Sequence, residues 1–442
     1  MKLLRNIIIA LFCTAALNAQ DSLSLTDAIV LGLQNNYDMK MMRNDEAISS
    51  INNTWGNTSF VPTLDLSASI RENWNFNNGN ESYRDQTITP ELKLNWVIFN
   101  GLSAIINKER FEDLEAQSKG NTAILVENTI QDIIMAYNNC LLQKELMVVY
   151  QELTQLSEDR YKRSKTSEEI GATTSYEGLQ AKTSWLEDQS NYLQQKVTYE
   201  NAIRTLNFLL GTDAAAMWTL TSELSVDALD YNIDDLKEKM TANNITLKNQ
   251  YLYQSLLEKE TRLAKSAYSP KLNLNSGISN NDFYSNNAMQ PADRNSLNGY
   301  IGLTLSWNIF SGGTRKRGVE IAKINEESAQ VRVEQMTHSL DNQLLQMYST
   351  YNVNKAVLAL ANEQQAAASL NMKISYEKFQ SGAINSFNYR DVQVVYMNSS
   401  LSKLRAFTNM IQSSTDLLRI TGGIVDEYEI SLEEISAEDK EK

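Results

Sequence analysis

Few residues in this 442-residue chain have the types and spacing that chemistry needs. His338 is the one histidine. A zinc site or a Ser-His pair built on it would need partners at defined spacing, and none flanks it, so it reads as a surface helix position. Cys140 precedes Leu141 and Leu142, which favours packing over reactivity. Ser311-Gly312-Gly313-Thr314 lacks the following Gly-Lys of a phosphate-binding loop. It reads better as the exit from a strand into a helix, as Asn100-Gly101 does elsewhere. With no nucleophile–base pair and no ligand cluster, the chain reads as a non-enzyme with no cofactor and no metal. Its formal charge of −14, without a basic cluster, argues against nucleic acid as a partner.

The ends come next. Residues 1–20 read as a secretory signal, with Lys2 and Arg5 ahead of the apolar run Ile7–Leu17 and small residues at Ala15, Ala16 and Ala19. Cleavage is expected at Ala19 or Gln20. Phe12 stands where lipidation of Cys13 would require a small residue, which argues against a lipid anchor. The mature chain keeps Cys140 alone and cannot form an internal disulfide. No later run reaches the roughly 18 apolar residues of a membrane-spanning helix. The exported protein is therefore periplasmic, secreted, or inserted as a barrel. Residues 423–442, with Glu433, Glu434, Glu438, Asp439 and Glu441, read as a solvated acidic tail.

The four prolines, Pro62, Pro90, Pro270 and Pro291, divide what lies between. None falls in Gly101–Gly211 or Gly312–Gly422. Proline breaks helices, so both tracts, rich in Ala, Leu, Gln, Glu, Lys and Met, are free to be helical. The stretches that the prolines appoint as brackets alternate instead. Over about 63–76, Leu64, Leu66, Ala68, Ile70, Trp74 and Phe76 share one face, and Asp65, Ser67, Ser69, Arg71 and Asn73 the other. Over about 87–99, Ile88, Leu92, Leu94, Trp96 and Ile98 oppose Thr87, Glu91, Lys93 and Asn95. Period two marks amphipathic strands, and their length suits a tilted bilayer crossing. Asn77–Asp85 between them reads as a loop.

The pattern recurs. Leu92, Leu94, Trp96, Ile98, Phe99 and Gly101 return as Leu303, Leu305, Trp307, Ile309, Phe310 and Gly312, a constant shift of 211. The same shift relates Tyr137 to Tyr348, Gly171-Ala172 to Gly382-Ala383, Ser175 to Ser386 and Gly211 to Gly422. Upstream the shift is 208, from Asn35-Asn36 to Asn243-Asn244 and from Pro62 to Pro270. The chain thus reads as a first structural repeat over 21–211, a linker over 212–229 and a second repeat over 230–422, with strands near 271–284 and 299–310. Each half is helix, strand, loop, strand, very long helix, turn, long helix. Such a unit is a duplicated domain rather than a solenoid repeat.

Gly101 to about Ile170 would make roughly 100 Å of helix. Leu179, Leu186 and Leu193, and Met397, Leu404, Ile411 and Leu418, fall seven apart, which favours a coiled-coil seam. Narrow apolar stripes on such helices fit a tube wetted on two sides better than a solid bundle. Four amphipathic strands have open edges that lipid cannot satisfy, and single-chain barrels begin at about eight strands, so the sheet demands at least two copies. Strand physics alone does not choose between two copies and three. Trp96 and Trp307, on the apolar face near a strand end, suit a membrane-interface belt.

With its duplication, paired strands, Phe-x-Gly after each strand-end aromatic, Asn-Asn near the end of each first helix, and glycine turns at Gly171 and Gly382, the chain resembles the TolC family of outer-membrane efflux proteins. The resemblance covers nearly all of the mature sequence. It implies a mainly α fold with a β-barrel portion: a duplicated long-helix tunnel plus four strands per protomer, closing a twelve-stranded barrel as a homotrimer. It implies location in the outer membrane, among its lipids, with the helical tunnel in the periplasm. It also implies a periplasmic adaptor and an inner-membrane pump as partners, and passive conduction in tripartite efflux or type I secretion. By position it places a periplasmic gate at Glu177, Asn388 and Asp391. Asn388 departs from the family's acidic pair, which weakens the expected sensitivity to cations. Adaptor contacts would fall on Ile170, Gly171, Ala172 and Thr173 and on Ser381, Gly382, Ala383 and Ile384. The same residues equally suit an ordinary hairpin turn. The rival reading is an exported helical scaffold without a channel.

Overall fold

A computed structural model describes residues 22–76, 82–222, 224, 226, 228–287 and 291–428. The signal at 1–20, the loop tip at 77–81, part of the linker at 223, 225 and 227, and the tail from 429 onward lie outside the described residues. The elements run α1 (Leu25–Asn35), α2 (Tyr37–Asn52), β1 (Thr63–Asn75), β2 (Tyr83–Phe99), α3 (Ser103–Glu169), α4 (Ser175–Leu210), α5 (Ile233–Asn243), α6 (Ile245–Ser266), β3 (Lys271–Ser285), β4 (Ala292–Ser306), α7 (Thr314–Gln380), α8 (Ser386–Ile420) and α9 (Ile424–Glu427). Both α3 and α7 are 67 residues long and start 211 apart. Gly120 does not break α3.

The chain divides into two compact units. The first comprises 22–42, 122–245 and 337–428 of the described residues. Its core gathers Ile29 and Leu33 of α1, Ile130, Ile133, Ile134 and Tyr137 of α3, and Ile203, Leu206 and Leu210 of α4. The duplication is repeated in its hydrogen bonds. Asn36 Nδ2 donates to the Leu209 carbonyl at 3.0 Å, and Asn244 Nδ2 to the Ile420 carbonyl at 3.0 Å. Tyr137 donates to the Leu23 carbonyl at 2.7 Å, and Tyr348 to the Tyr231 carbonyl at 3.2 Å. Gly211 and Gly422 both take positive φ and lie against the carbonyls of Asn35 and Asn243, where a Cβ would collide. The Asn-Asn signature thus has a physical reason. Asn36 ends α1, accepts at Oδ1 from the amides of Asp38 and Met39 to start α2, and closes on the last turn of α4.

The second unit comprises 43–121 and 246–336. Its sheet has the order β1-β2-β3-β4, antiparallel throughout. Register carries Leu64, Leu66, Ala68 and Ile70 beside Leu94, Leu92, Pro90 and Ile88. It carries on to Leu274 and Ile278, then to Leu303 and Leu305. One face therefore carries an apolar band across all four strands, with Ser276 inside it and Glu72, Gln86, Asp282 and Asn295 beyond it, and the other face holds Asp65, Arg71, Glu91, Lys93, Asn273 and Asn275. Helix α6 is tied to α3 by Lys259 on Asp113, Arg262 on Glu109 at 2.5 Å and Arg110 on Glu260 at 2.8 Å.

Two strand limits differ from the sequence reading, while Pro90 lies inside β2, within the strand expected at about 87–99. Lacking an N–H, it drops out of the ladder toward β3, where Thr89 bonds Asn281 through side chains at 2.8 Å. Strand β2 begins at Tyr83, because pairing continues through Arg84, Asp85 and Gln86, where both faces turn polar and alternation fades. Strand β4 covers Ala292–Ser306 instead of 299–310, so Trp307–Phe310 lie beyond its end.

Because Asn36 satisfies groups at three helix ends, Asn36→Ala should cost about 1–2 kcal/mol of stability. Denaturant unfolding followed by helical circular dichroism would register this as a lower midpoint, and Asn244→Ala should behave alike.

Candidate functional site

The two helical turns are built by the same local chemistry. Gly171 and Gly382 adopt φ of +73° and +76°. The amide of Ala172 reaches back to the Ser167 carbonyl at 2.9 Å, and that of Ala383 to the Lys378 carbonyl at 2.8 Å. This wrap satisfies carbonyls that the ending helix leaves unpaired. No atom lies within 4 Å of where a Cβ would stand on either glycine, so the turns are open to a neighbour. Ile170, Ala172, Ser381 and Ala383 are exposed, and Thr173 is half-buried. Ile384 packs on Met372, Phe379 and Tyr389.

Glu177 sits half-buried in the first turn of α4, where the helix dipole favours a carboxylate. Asn388 is exposed, and its backbone amide donates to Asn385 Oδ1, the N-cap of α8, at 2.9 Å. Asp391 is exposed on the next turn. Among the described residues, no hydrogen bond or ion pair joins these three within one chain.

Sequence reasoning missed the cluster just behind these turns. Asp188 is buried on α4 and accepts both terminal nitrogens of Arg390 on α8, at 2.6 and 2.8 Å. Arg160 of α3, also buried, donates Nη1 to the Ser386 carbonyl at 3.4 Å, while its Nε and Nη2 have no protein partner. Burial and then the neighbouring Arg390 guanidinium pull Arg160 down to about 10, so it stays charged near neutral pH. Burial pushes Tyr389 up to about 12, and its ring stacks on Phe379 at 4.6 Å. Arg163 lies over Phe379 and bonds Gln380. Apart from the Phe379–Tyr389 stack, which lies within the second hairpin, these contacts run from the first hairpin, α3 and α4, to the second, α7 and α8. The 211-residue shift gave no hint of them: Asp188 corresponds to Ser399, Arg390 to Leu179 and Arg160 to Asn371.

At the sheet, Trp96 Nε1 donates to the Phe60 carbonyl at 2.9 Å, and Trp307 Nε1 to the Tyr268 carbonyl at 3.0 Å. Trp74 and Tyr284 sit on the same apolar face near the opposite strand ends, beyond Glu72 and Asp282. The sequence reading had not singled out this second aromatic pair. Trp74 pairs with Arg84, so the two tryptophan levels on β1 and β2 are twelve residues apart along β2. That is about 40 Å of strand, or about 30 Å of height at a typical barrel tilt.

Cys140 is buried, and burial pushes its thiol up to about 12. His338 is exposed on α7. Gly312 and Gly313, both with positive φ, turn the chain from β4 into α7. Among the described residues no group of His, Cys, Asp and Glu is arranged to hold a metal, and no helix is long and apolar enough to cross a membrane.

A family model described as outer membrane efflux protein matches residues 28–212 and 236–423. No curated protein matches the chain. Among solved structures, the chain is similar to the CmeC outer membrane channel of Campylobacter jejuni, at 16% identity and a TM-score of 0.73, over 90% of this chain and 85% of that one. It is similar to the outer membrane protein VceC of Vibrio cholerae, at 13% identity and 0.72, over 90% and 96%. It is also similar to the open state of the MtrE outer membrane channel of Neisseria gonorrhoeae, at 14% identity and 0.74, over 90% and 89%. At these identities the likenesses establish the fold.

Removing one partner of a buried ion pair strands the other, so Asp188→Ala should destabilise by on the order of 3–5 kcal/mol. Asp188→Leu combined with Arg390→Met should cost clearly less. Comparing the unfolding midpoints of the two variants checks this.

Proposed function

The chain belongs to the outer membrane efflux protein family, and from that premise we propose that three copies form a passive duct, energised by other proteins. It is an outer-membrane channel. In the proposed assembly twelve strands close one barrel, and the long helices of the three copies line a tunnel on the periplasmic side. The observation that carries this reading is the four-stranded sheet with an apolar band across one face and two open edges. Lipid accepts the apolar face but cannot satisfy the edges, which only further strands can pair. On the helices, Leu179, Leu186 and Leu193 are exposed along α4 within a single chain. Their seven-residue spacing suits a seam with a neighbouring helix.

Trp96 and Trp307 at one level, with Trp74 and Tyr284 at the other, would form the two interface belts. The polar face would line the lumen. Its mixed signs, Asp65 and Glu91 against Arg71 and Lys93, give no charge filter. Residues 1–20 would direct export, 21–211 and 230–422 would be the two repeats joined by 212–229, and 423–442 would form the acidic tail. The open glycine turns, Ile170–Thr173 and Ser381–Ile384, would receive a periplasmic adaptor that couples the duct to an inner-membrane pump.

Glu177, Asn388 and Asp391 would ring the periplasmic gate. Only Asp391 supplies a carboxylate from the second turn, so multivalent cations should block weakly. Purified protein in planar bilayers should conduct ions. Asn388→Asp should strengthen block by a multivalent cation, and Asp391→Asn should weaken it. Finding the mature protein in the soluble periplasmic fraction, with no conductance, would favour an exported scaffold instead.

Docking is tested separately. Gly171→Phe with Gly382→Phe should reduce adaptor crosslinking and export while leaving bilayer conductance in place. Unchanged crosslinking would count against the turns as contacts.

A further inference from the structure

The duplication fixes more than the fold of one chain. Each hairpin obeys the same register: Thr63 pairs with Asn95, and their equivalents Lys271 and Ser306 pair in the second half. The junction between hairpins, β2 against β3, is also defined, with Leu92 opposite Ile278, Leu94 opposite Ser276 and Trp96 opposite Leu274. In this junction the last strand of one hairpin meets the first strand of the next. Strand β4 is the last strand of the second hairpin, and β1 is the first strand of the first. Both are the open edges of the sheet, and with the alternating strand directions a second copy's β1 would run antiparallel to β4.

We propose that β4 of one copy pairs with β1 of the next in the register of the β2–β3 junction, advanced by 211 on one strand and set back by 208 on the other. This rests on the oligomeric duct proposed above. It sets Leu303 opposite Ile70, Leu305 opposite Ala68 and Trp307 opposite Leu66 of the neighbour, with Thr304 opposite Ser69 on the polar face.

Three observations favour this pairing. First, it keeps the apolar band unbroken, since every apolar position meets an apolar-face position; a slip by one residue would turn each side chain to the wrong face. Second, the end of β4 is left uncovered in one chain. Trp96, Ile98 and Phe99 are 37%, 42% and 38% exposed beside β3, whereas their equivalents Trp307, Ile309 and Phe310 are 61%, 82% and 84% exposed. Strand β2 runs to Phe99 because β3 pairs with it, and β4 stops at Ser306 where no such strand stands. In the proposed register, Leu64–Leu66 of the neighbour occupy that place. Third, bulk meets open space. Gly299 and Gly302 have no atom closer than 3.9 Å to a built Cβ. The register sets them opposite Trp74 and Arg71 of the neighbouring copy, the two bulkiest side chains on that stretch of β1.

Paired cysteines in full-length protein carrying Cys140→Ser test the register. Leu305→Cys with Ala68→Cys, and separately Thr304→Cys with Ser69→Cys, cover both kinds of antiparallel pair. On oxidation, at least one should shift the protein from the monomer band to linked oligomers on a non-reducing gel. Leu94→Cys with Ser276→Cys, the equivalent pair inside one chain, should link without forming oligomers. Pairing Leu305→Cys with Leu66→Cys or with Ile70→Cys displaces the partner by two residues, to a Cα separation of about 8 Å, beyond disulfide reach. Those two should stay monomeric on the gel.

Linking by a displaced pair in place of the in-register pairs would overturn the register while leaving the oligomer intact. Absence of any interchain link in protein whose native mass is that of an oligomer would overturn this edge pairing. A monomeric native mass in detergent would overturn the oligomeric duct itself, and the register with it.

Discussion

Backbone amides cannot be left unpaired in hydrocarbon, and this constraint governs the molecule. One chain supplies four strands, of 13, 17, 15 and 15 residues, and pairs only the inner edges. Unpaired N–H and C=O groups along two such edges would cost several kcal/mol each in lipid. No side-chain arrangement on the faces offsets that cost. In the proposed assembly the apolar band, the aromatic levels and the unfinished end of β4 are all completed by strands of other copies. In that assembly, stability of the inserted form and oligomerisation would be one equilibrium rather than two.

The same dependence holds in the helices. A 67-residue helix exposes far more surface than its own chain can cover, and α3 and α7 are both of that length. Within the first unit, the core forms where α1, α3 and α4 converge on Tyr137 and Ile133. On α7 one set of apolar residues, Leu344, Tyr351 and Leu358 among them, is buried, while another, with Val353, Leu360 and Leu370, stands open. Ties between helices are instead polar and local, such as Gln131 on Asp416 at 2.5 Å and Asn354 on the Asn409 carbonyl at 3.1 Å. Polar ties specify pairing at small net gain, because each exchanges one bond to water for one to protein. Such helices hold their register without a solid core, which suits walls that face water.

Much of this was legible before any coordinates. The constant shift between halves identified the duplication, and four prolines marked where helices could not run. Alternation located the strands wherever one face was apolar. It failed where both faces are polar, at Arg84–Gln86 and Asp293–Ser296, because period two carries no signal without contrast. Pro90 did not hide its strand, because a missing N–H disqualifies a residue from one ladder only, and β2 has two. At the site, the glycine turns could be read from residue type, since only glycine takes that backbone freely. The Asp188–Arg390 pair could not be read. Its members lie 202 residues apart on helices studded with charges, and no local rule distinguishes a buried charge there from a solvated one.

That pair also limits how far the duplication extends. At the strand ends and at the Asn-Asn helix junctions the halves match, Trp96 with Trp307 and Asn36 with Asn244, in both residue and bond. Behind the turns they are not, because Asp188, Arg390 and Arg160 have no charged equivalents in the other half. Exchanging the two hairpins would place Leu179 against Ser399 where Arg390 now meets Asp188. It would also leave buried charge unpaired, at a cost that few surface contacts could offset. The second hairpin's place beside the first within a chain is thus fixed electrostatically at the turn end, and by strand register at the sheet. In a ring of copies, six hairpins would then be nearly equivalent at the strands and alternate in kind at the turns. At the equivalent junction between copies in that ring, Ser399 and Leu179 would stand where Asp188 and Arg390 stand within a chain, so the ion pair would recur once per copy rather than once per hairpin.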